Sequence, residues 1–499
     1  MTRAVRLSVD GRVPAGDILS VRVASRLSQP AQCELTMPAA ASQWPEGWAL
    51  GARLAVTVTG HEQPLFDGEV TRVELARGAD GGALVRVRGY DRLHRLRKRQ
   101  QVRVFEDVTA VDVATALVSD LGLTVAADDE GPRFPRVTQH RQSDFDLLVE
   151  LAGRIGRYPV LRGDVVHLVT LAGTGDPVSL HFGQSLVEAR VSANLDRLAT
   201  SYTALAWQAL RAEPVSQQAT APRTGRRIAL DPDPRAVGVP GERTLVDLPA
   251  GTDADVAALA QAALDASNGR AVTLDGVALG DPRLVAGTPV AVDGIAEAAD
   301  GQYVLCHAVH TLDATGYTTA IGTEPPEPPV RSGAASLTLG RVTAVDDPDG
   351  LGRVRVAMAA CADLDLGWLG VVCPGAGRGK GLVALPDVGD AVVVALPHGS
   401  PAEGLVLGSL YGTVEPPDPG VDGSAVRRWS LRTADGQSIV VDDAKHLLRL
   451  ENRAGSYVEL APDLVRLHAA TDLTIDAPGQ AITMRASSID FEHAVTGVV

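Results

Sequence analysis

The residues with the clearest chemical potential are a Gly-rich loop, an acidic turn, isolated histidines and one basic run. The loop Pro374-Gly-Ala-Gly-Arg-Gly-Lys-Gly381 offers successive amides of the kind that cradle phosphate. It fails as a nucleotide loop on both flanks. Pro374 stands where the first Gly is needed, and Gly381 where a Ser or Thr must reach magnesium. His61-Glu-Gln-Pro-Leu65 begins like a zinc-binding helix but contains Pro64 and lacks the second His one turn on. Asp347-Pro-Asp-Gly350 opens like a calcium loop, yet its twelfth position is Met358 instead of Glu, so a β-turn is the better reading. The run Arg92, Arg95, Arg97, Lys98, Arg99 and Arg103 could meet nucleic acid. A solvated or subunit-contacting face, complementary to an acidic neighbour, fits it better because no aromatic stacking platform accompanies it. No GxSxG, no nucleophilic Cys beside a base and no paired carboxylates in an aromatic cleft can be picked out. No catalytic, cofactor or metal site is therefore expected.

The elements that must carry these residues follow from composition. The chain has 499 residues, 46 Lys plus Arg against 61 Asp plus Glu, and a formal net charge of -15. That balance argues against nucleic acid and anionic membranes as partners. Fifty-one Gly, 31 Pro and 4% aromatic residues point to many short strands joined by tight turns, so the chain is mainly β. Cys33, Cys306, Cys361 and Cys373 are scattered and read as buried apolar residues. The N-terminus lacks the apolar core of a signal peptide, and no stretch approaches the ~20 apolar residues of a membrane span. Synthesis and residence in the cytoplasm are expected, with any later release achieved by other means.

Pro-rich stretches at 324–333 and 414–423 read as semi-rigid linkers and divide the chain into 1–324, 335–412 and 425–499. The first region is strand-rich with three capped helices, opening at Thr109/Asp112, Ser143/Asp146 and Thr252/Asp255. These helices read as lids on β-barrels, and the stretches 212–226 and 231–243 as long surface loops. The second region carries strand-like runs at 339–344, 353–358, 368–372, 382–384, 391–396 and 404–407, suiting a small closed barrel of the OB type.

The third region alternates apolar and polar residues. Its apolar pairs are Ile439/Val441, Leu448/Leu450, Val458/Leu460, Val465/Leu467, Leu473/Ile475, Ile482/Met484 and Ile489/Phe491, with Glu451, Glu459 and Asp476 on the polar parity. Successive pairs begin 9, 10, 7, 8, 9 and 7 residues apart, a quasi-repeat of short strands. One apolar face on strands this short cannot enclose a core, so the pattern requires neighbours. Three copies about one axis would bury these faces as the core of a trimeric needle.

Specific stretches resemble a known family. Gly89-Tyr-Asp-Arg-Leu-His-Arg-Leu96, Gln139-His-Arg-Gln-Ser-Asp-Phe-Asp-Leu-Leu148 and Gly153-Arg-Ile-Gly-Arg-Tyr158 resemble the hub half of VgrG-type spikes and phage tail hubs. Gly301-Gln-Tyr-Val-Leu-Cys-His-Ala-Val-His310 with Gly316-Tyr-Thr-Thr319 resembles the hub's closing strands. Gly340-Arg-Val-Thr343, Asp347 to Val356, Trp368, Leu385-Pro-Asp-Val-Gly-Asp390 and Val406 to Tyr411 resemble the baseplate-V OB module.

The resemblance implies a hub of two tube-like β-barrels with inserted helices, an OB-fold collar and a C-terminal trimeric intertwined β-helix needle. It also implies a structural central spike of a contractile injection system, set between tail tube and membrane-piercing tip. The implied partners are two further copies, a hexameric tail-tube protein, baseplate proteins, a PAAR-repeat tip protein and effectors on separate polypeptides. The second linker leaves no room for the lysozyme some relatives carry, and the chain ends eight residues beyond Phe491, which leaves none for a fused toxin. His468 and His493 lack the His-x-His spacing by which some spikes hold an axial metal. The competing readings are a tail-spike adhesin or polysaccharide-degrading β-helix protein, and an OB-type nucleic-acid binder.

Overall fold

The computed structural model describes residues 5–12, 17–39, 48–61, 63–79, 82–208, 213–239, 241–248, 252–327 and 334–490. It is mainly β and falls into two compact units, 1–410 and 411–499.

The first unit is organised by a ten-stranded sheet. Its strands run in the order Val5–Val9, Arg53–Val58, Phe66–Arg77, Ala83–Asp91, Gln32–Pro38, Ser20–Arg26, His307–Asp313, Gly316–Gly322, Val272–Leu279 and Leu186–Ala193. The hub's first and last segments are joined where Ser20–Arg26 pairs antiparallel with His307–Asp313. One core gathers Leu35, Leu54, Val56 and Val87 near one end, and a second gathers Leu186, Leu274, Val290 and Tyr303 near the other. Two cores thus stand where two hub barrels were expected, the second shared between this sheet and a separate four-stranded sheet that carries Val290 and Tyr303. Among the described residues the sheet does not close, because this central pairing carries it on from one half to the next.

All three expected helices form. α1 (Ala110–Val118) and α2 (Asp144–Arg154) each begin with a reciprocal capping box, Thr109 with Asp112 and Ser143 with Asp146. Thr252 caps α3 (Asp253–Gly269) by accepting from the Asp255 amide. They are not lids on barrels. α1 and α2 build a core of their own with Leu93, Leu96, Val113, Leu117, Phe134 and Leu148. α3 lays Val256, Ala260 and Leu264 on a three-stranded sheet, Glu213–Ala219, Ser201–Gln208 and Glu242–Leu248. One of those strands, Glu213–Ala219, lies where a surface loop was expected, and Glu242–Leu248 begins only at the end of the other expected loop. Polar Ser216, Gln217 and Gln218 mask the buried Val215 and Ala219, the residues that face the helix.

The OB module is a closed barrel of Ser336–Ala344, Val354–Met358, Leu364–Val371, Leu405–Leu410 and Ala391–Leu396. Its core holds Val342, Val354, Val356, Val392, Val394 and Val406, all almost fully buried. The run 382–384 is not a strand. Leu364–Val371 pairs directly and in parallel with Leu405–Leu410, which closes the barrel and leaves no slot for it. The hub continues into the module through Arg136, which donates to the Asp365 carbonyl.

The second unit is an antiparallel meander of five strands, Arg428–Arg432, Ser438–Asp442, Leu447–Glu451, Tyr457–Leu460 and Val465–His468. Each strand pairs with its sequence neighbour in the same chain. Over 428–468 the strands thus form one sheet within the chain. Residues 469–490 carry no strand, so Leu473, Ile475, Ile482, Met484 and Ile489 lie outside the sheet, and Phe491 lies outside the described residues.

Candidate assembly surfaces

The meander's register sorts its side chains into two faces. Trp429, Val441, Leu448, Leu460 and Val465 are successive cross-strand partners, and so are Leu431, Ile439, Leu450, Val458 and Leu467. Cross-strand partners share a face, so these ten residues form two parallel apolar ladders on one side of the sheet. They include all eight of the sequence-derived core residues between 439 and 467. Trp429 and Leu431 were missed by the sequence reading, although their spacing continues the alternation backwards. None of the ten is buried, and relative exposure runs from 39% at Val458 to 73% at Trp429. Leu473, Ile475, Ile482, Met484 and Ile489 are exposed as well.

The opposite face is mainly polar, with Val440 and Leu447 among its residues, and its central charges are paired with one another. Arg449 reaches Glu459 at 2.8 Å and Glu451 at 3.0 Å while its guanidinium lies 3.9 Å from the Tyr457 ring centre. His468 packs against the same ring at 4.9 Å. A sheet with one neutralised polar face and one bare apolar face is built to be covered on the apolar side. The second linker is tied to its base. Asp418 accepts from Arg428 at 2.8 and 3.0 Å and from the Gly420 amide at 2.8 Å. Its carboxyl consequently lies well below the usual range.

The residues that suggested chemistry prove to hold backbone. Asp347 accepts from the amides of Asp349 (3.1 Å), Leu351 (2.9 Å) and Arg353 (3.1 Å), and from the Arg353 guanidinium. The Gly350 amide closes the expected turn on the Asp347 carbonyl at 3.0 Å. With its oxygens so occupied, the carboxyl is held far below its ordinary range. The Gly-rich loop is exposed and closes by a small bridge between Gly377 and Lys380.

Four of the basic residues find acidic partners within the chain. Arg92 pairs with Asp164, Arg95 with Glu69, Arg99 with Asp120 and buried Asp144, and Arg103 with Asp144 at 2.8 Å. Arg97 lies over the Tyr90 and Phe145 rings. The expected acidic neighbour is thus largely the hub itself.

The motif residues of the hub are equally structural. Asp91 is buried and accepts from the amides of Ala31 at 2.6 Å and Leu93 at 2.9 Å, and burial lifts its carboxyl to about 7. Buried His310 donates from Nε2 to the Leu284 carbonyl at 2.9 Å. Its Nδ1 accepts from Tyr317 Oη at 2.9 Å and Thr319 Oγ1 at 3.0 Å. Burial pushes the imidazole down to about 4. Cys33 and Cys306 are buried, with burial raising the Cys306 thiol to about 12. Cys361 and Cys373 are partly exposed. Among the described residues no three His, Cys, Asp or Glu side chains gather as a metal-holding group, and no helix is long and apolar enough to cross a membrane. His493 lies outside the described residues.

Comparison with known proteins agrees with this architecture. A sequence model described as the phage tail baseplate hub matches residues 25–316, more than half of the chain. One described as the type VI secretion system/phage-baseplate injector OB domain matches 338–411. No curated protein matches. Among solved structures, the E. coli c3393 protein, titled a component of the type VI secretion system similar to T4 bacteriophage tail proteins gp27 and gp5, aligns with a TM-score of 0.54. The alignment has 13% identity and covers 81% of this chain and 100% of that one. The 43 kDa tail protein of prophage MuSo2 from Shewanella oneidensis aligns with a TM-score of 0.51 at 16% identity, covering 65% and 98%. A Francisella PdpA-VgrG complex aligns with a TM-score of 0.55 at 8% identity, covering 93% and 79%. At these identities the likeness is one of fold.

Proposed function

Because this chain belongs to the phage tail baseplate hub family, a VgrG-like structural protein of phage-tail type, we propose that it is the central spike of a contractile injection system or phage-tail-like particle. In this reading 1–324 is the hub seated on the hexameric tail-tube protein, 335–412 is the OB collar, and 425–499 is the needle leading to the membrane-piercing tip. The observation that carries it is the pair of apolar ladders on the meander, exposed along their whole length.

Three copies facing one axis would bury these ladders against one another and leave the Arg449, Glu451 and Glu459 face in water. Burying a Leu or Val side chain contributes roughly 1.5–3 kcal/mol, so ten such positions per chain give a large driving force even after ordering costs. A three-sided prism of in-chain meanders serves this purpose for 428–468, and any intertwined winding is confined to the segment after it. The spike is non-enzymatic and works by stiffness and shape. Its further partners are baseplate proteins, a PAAR-repeat tip protein and effectors carried as separate chains. Support for an effector comes by analogy from the relative whose title pairs VgrG with PdpA.

Native mass spectrometry of the full chain tests the reading. A trimer is expected, and a folded, stable monomer at micromolar concentration would sink it.

A further inference from the structure

The face of the ten-stranded sheet turned away from the core of Leu35, Leu54 and Val87 carries more cations than its own carboxylates can pair. On four neighbouring strands Arg22, Arg26, Arg72, Arg86 and Arg88 share it with Glu34 and Glu74. Arg22, Glu34, Arg88 and Arg72 are successive cross-strand partners, with Arg86 and Glu74 in the next row. Glu34 is taken by Arg88 at 2.7 Å, and Glu74 is divided between Arg72 at 2.8 Å and Arg86 at 3.6 Å. Arg88 and Arg72 stand directly opposite each other, a like-charge pairing that costs the sheet stability. Arg22 and Arg26 are exposed, and neither has an acidic partner among the described residues.

Part of the basic run extends this face. In the helical turn Arg92–Lys98, Arg95 pairs with Glu69, the cross-strand partner of Tyr90, and Arg97 lies 5.6 Å from the Tyr90 ring centre. Tyr90 has the same parity as Arg88 and Arg86, so the turn borders the arginine rows. Arg97 and Lys98 are exposed and, like Arg22 and Arg26, take no carboxylate among the described residues. The surface thus sets eight cations against Glu34, Glu69 and Glu74, on a chain whose formal net charge is -15. At its margin Arg53 and Asp67 pair with each other at 2.8 Å and leave the surplus unchanged.

The pattern favours a protein over a nucleic acid. Neighbouring strands lie about 4.8 Å apart and alternate residues about 6.8 Å apart, and an extended peptide presents alternate side chains at that same repeat. Carboxylates so spaced reach one guanidinium after another, each able to accept two parallel N–H bonds. A nucleic acid would need a base-stacking platform, and the ring of Tyr90 is already taken by His94 and Arg97. Its continuous phosphates would also meet Glu34, Glu69 and Glu74 and the negative charge of the chain. We propose that this face is a docking surface for an extended acidic segment of a partner protein, laid across the rows from Arg22 to Lys98. All its residues belong to one chain, so docking here does not rest on the spike reading.

Fluorescence anisotropy of a labelled peptide of alternating Glu and Ser, about a dozen residues long, titrated with the full chain at about 50 mM salt tests it. Binding in the micromolar range is expected, weakening at least about tenfold when salt is raised to about 500 mM. Arg22→Glu and Lys98→Glu reverse exposed charges at the two ends of the surface and should each weaken binding at least about fivefold. Lys380→Glu, an equal change on the exposed Gly-rich loop, should leave it within about twofold. Three results would overturn the docking surface: no binding at millimolar concentration, losses in Arg22→Glu and Lys98→Glu no larger than in Lys380→Glu, or tighter binding of a thymidine oligonucleotide of the same length. Thermal melts check that each variant is folded, and if one of the two face variants is not, the other decides.

Discussion

Leu450 and Val458 stand directly opposite each other on neighbouring strands, and both remain open to solvent, at 52% and 39% exposure. Leu448 and Leu460 form the next rung on the same face. Such rungs have value only if something dry lies across from them.

Replacing Leu460 by Asp would place one carboxylate per copy in that dry contact, and each unpaired buried charge costs on the order of several kcal/mol. Heat- and detergent-resistant trimers should be lost in Leu460→Asp. Glu459→Ala alters the other face, where Arg449 loses a partner at 2.8 Å but keeps Glu451. Its cost should stay within about 1 kcal/mol, slightly more than an unpaired surface residue would show. Trimer melting of the two variants checks both; equal melting points would mean that the ladders do not face the axis.

The His310 lock predicts an acid dependence. Its folded-state value is lowered from 6.5 to about 4, so the unfolded chain takes the proton first as pH falls. The stability it provides is complete above pH 6.5 and is lost progressively down to about pH 4, on the order of 3 kcal/mol across that window. Thermal melts of His310→Gln should be lower than wild type at pH 7 and should converge on it toward pH 4. A constant gap between the two would contradict the assignment.

Asp347 organises its loop through three amides and one guanidinium. In Asp347→Ala the amides of Leu351 and Arg353 should lose exchange protection while the barrel strand Ala391–Leu396 keeps it. Added calcium should change neither protein, because the carboxylate already serves its own loop. A calcium-dependent rise in protection of the wild-type loop would revive the metal reading.

Arg270 donates to the carbonyls of Pro325 at 3.2 Å and Pro326 at 2.7 Å, mooring the start of the first linker at the end of α3. Arg270→Ala should free that mooring. Amide exchange at Glu324 and Glu327 should become severalfold faster while the helices remain protected. Unchanged exchange there would show that Arg270 does not restrain these residues.

The sequence alone determined those features that depend on local chemistry. Hydroxyl and carboxylate three residues apart specified where α1, α2 and α3 begin, because capping acts within one turn. Period-two alternation assigned Leu448, Leu450, Val458 and Leu460 to one face, because successive strand side chains point to opposite sides. Tertiary structure decided what depends on which strand pairs with which. Pairing of Ser20–Arg26 with His307–Asp313 joined the hub's first and last segments in one sheet, a contact across nearly the whole first region that no local pattern encodes. Closure of the barrel by Leu364–Val371 and Leu405–Leu410 excluded 382–384, and Val215 became core only because α3 lies over it. The acidic partners of Arg92, Arg95 and Arg99 lie 21 to 72 residues away in the chain, so only folding could show that most of this run is already paired.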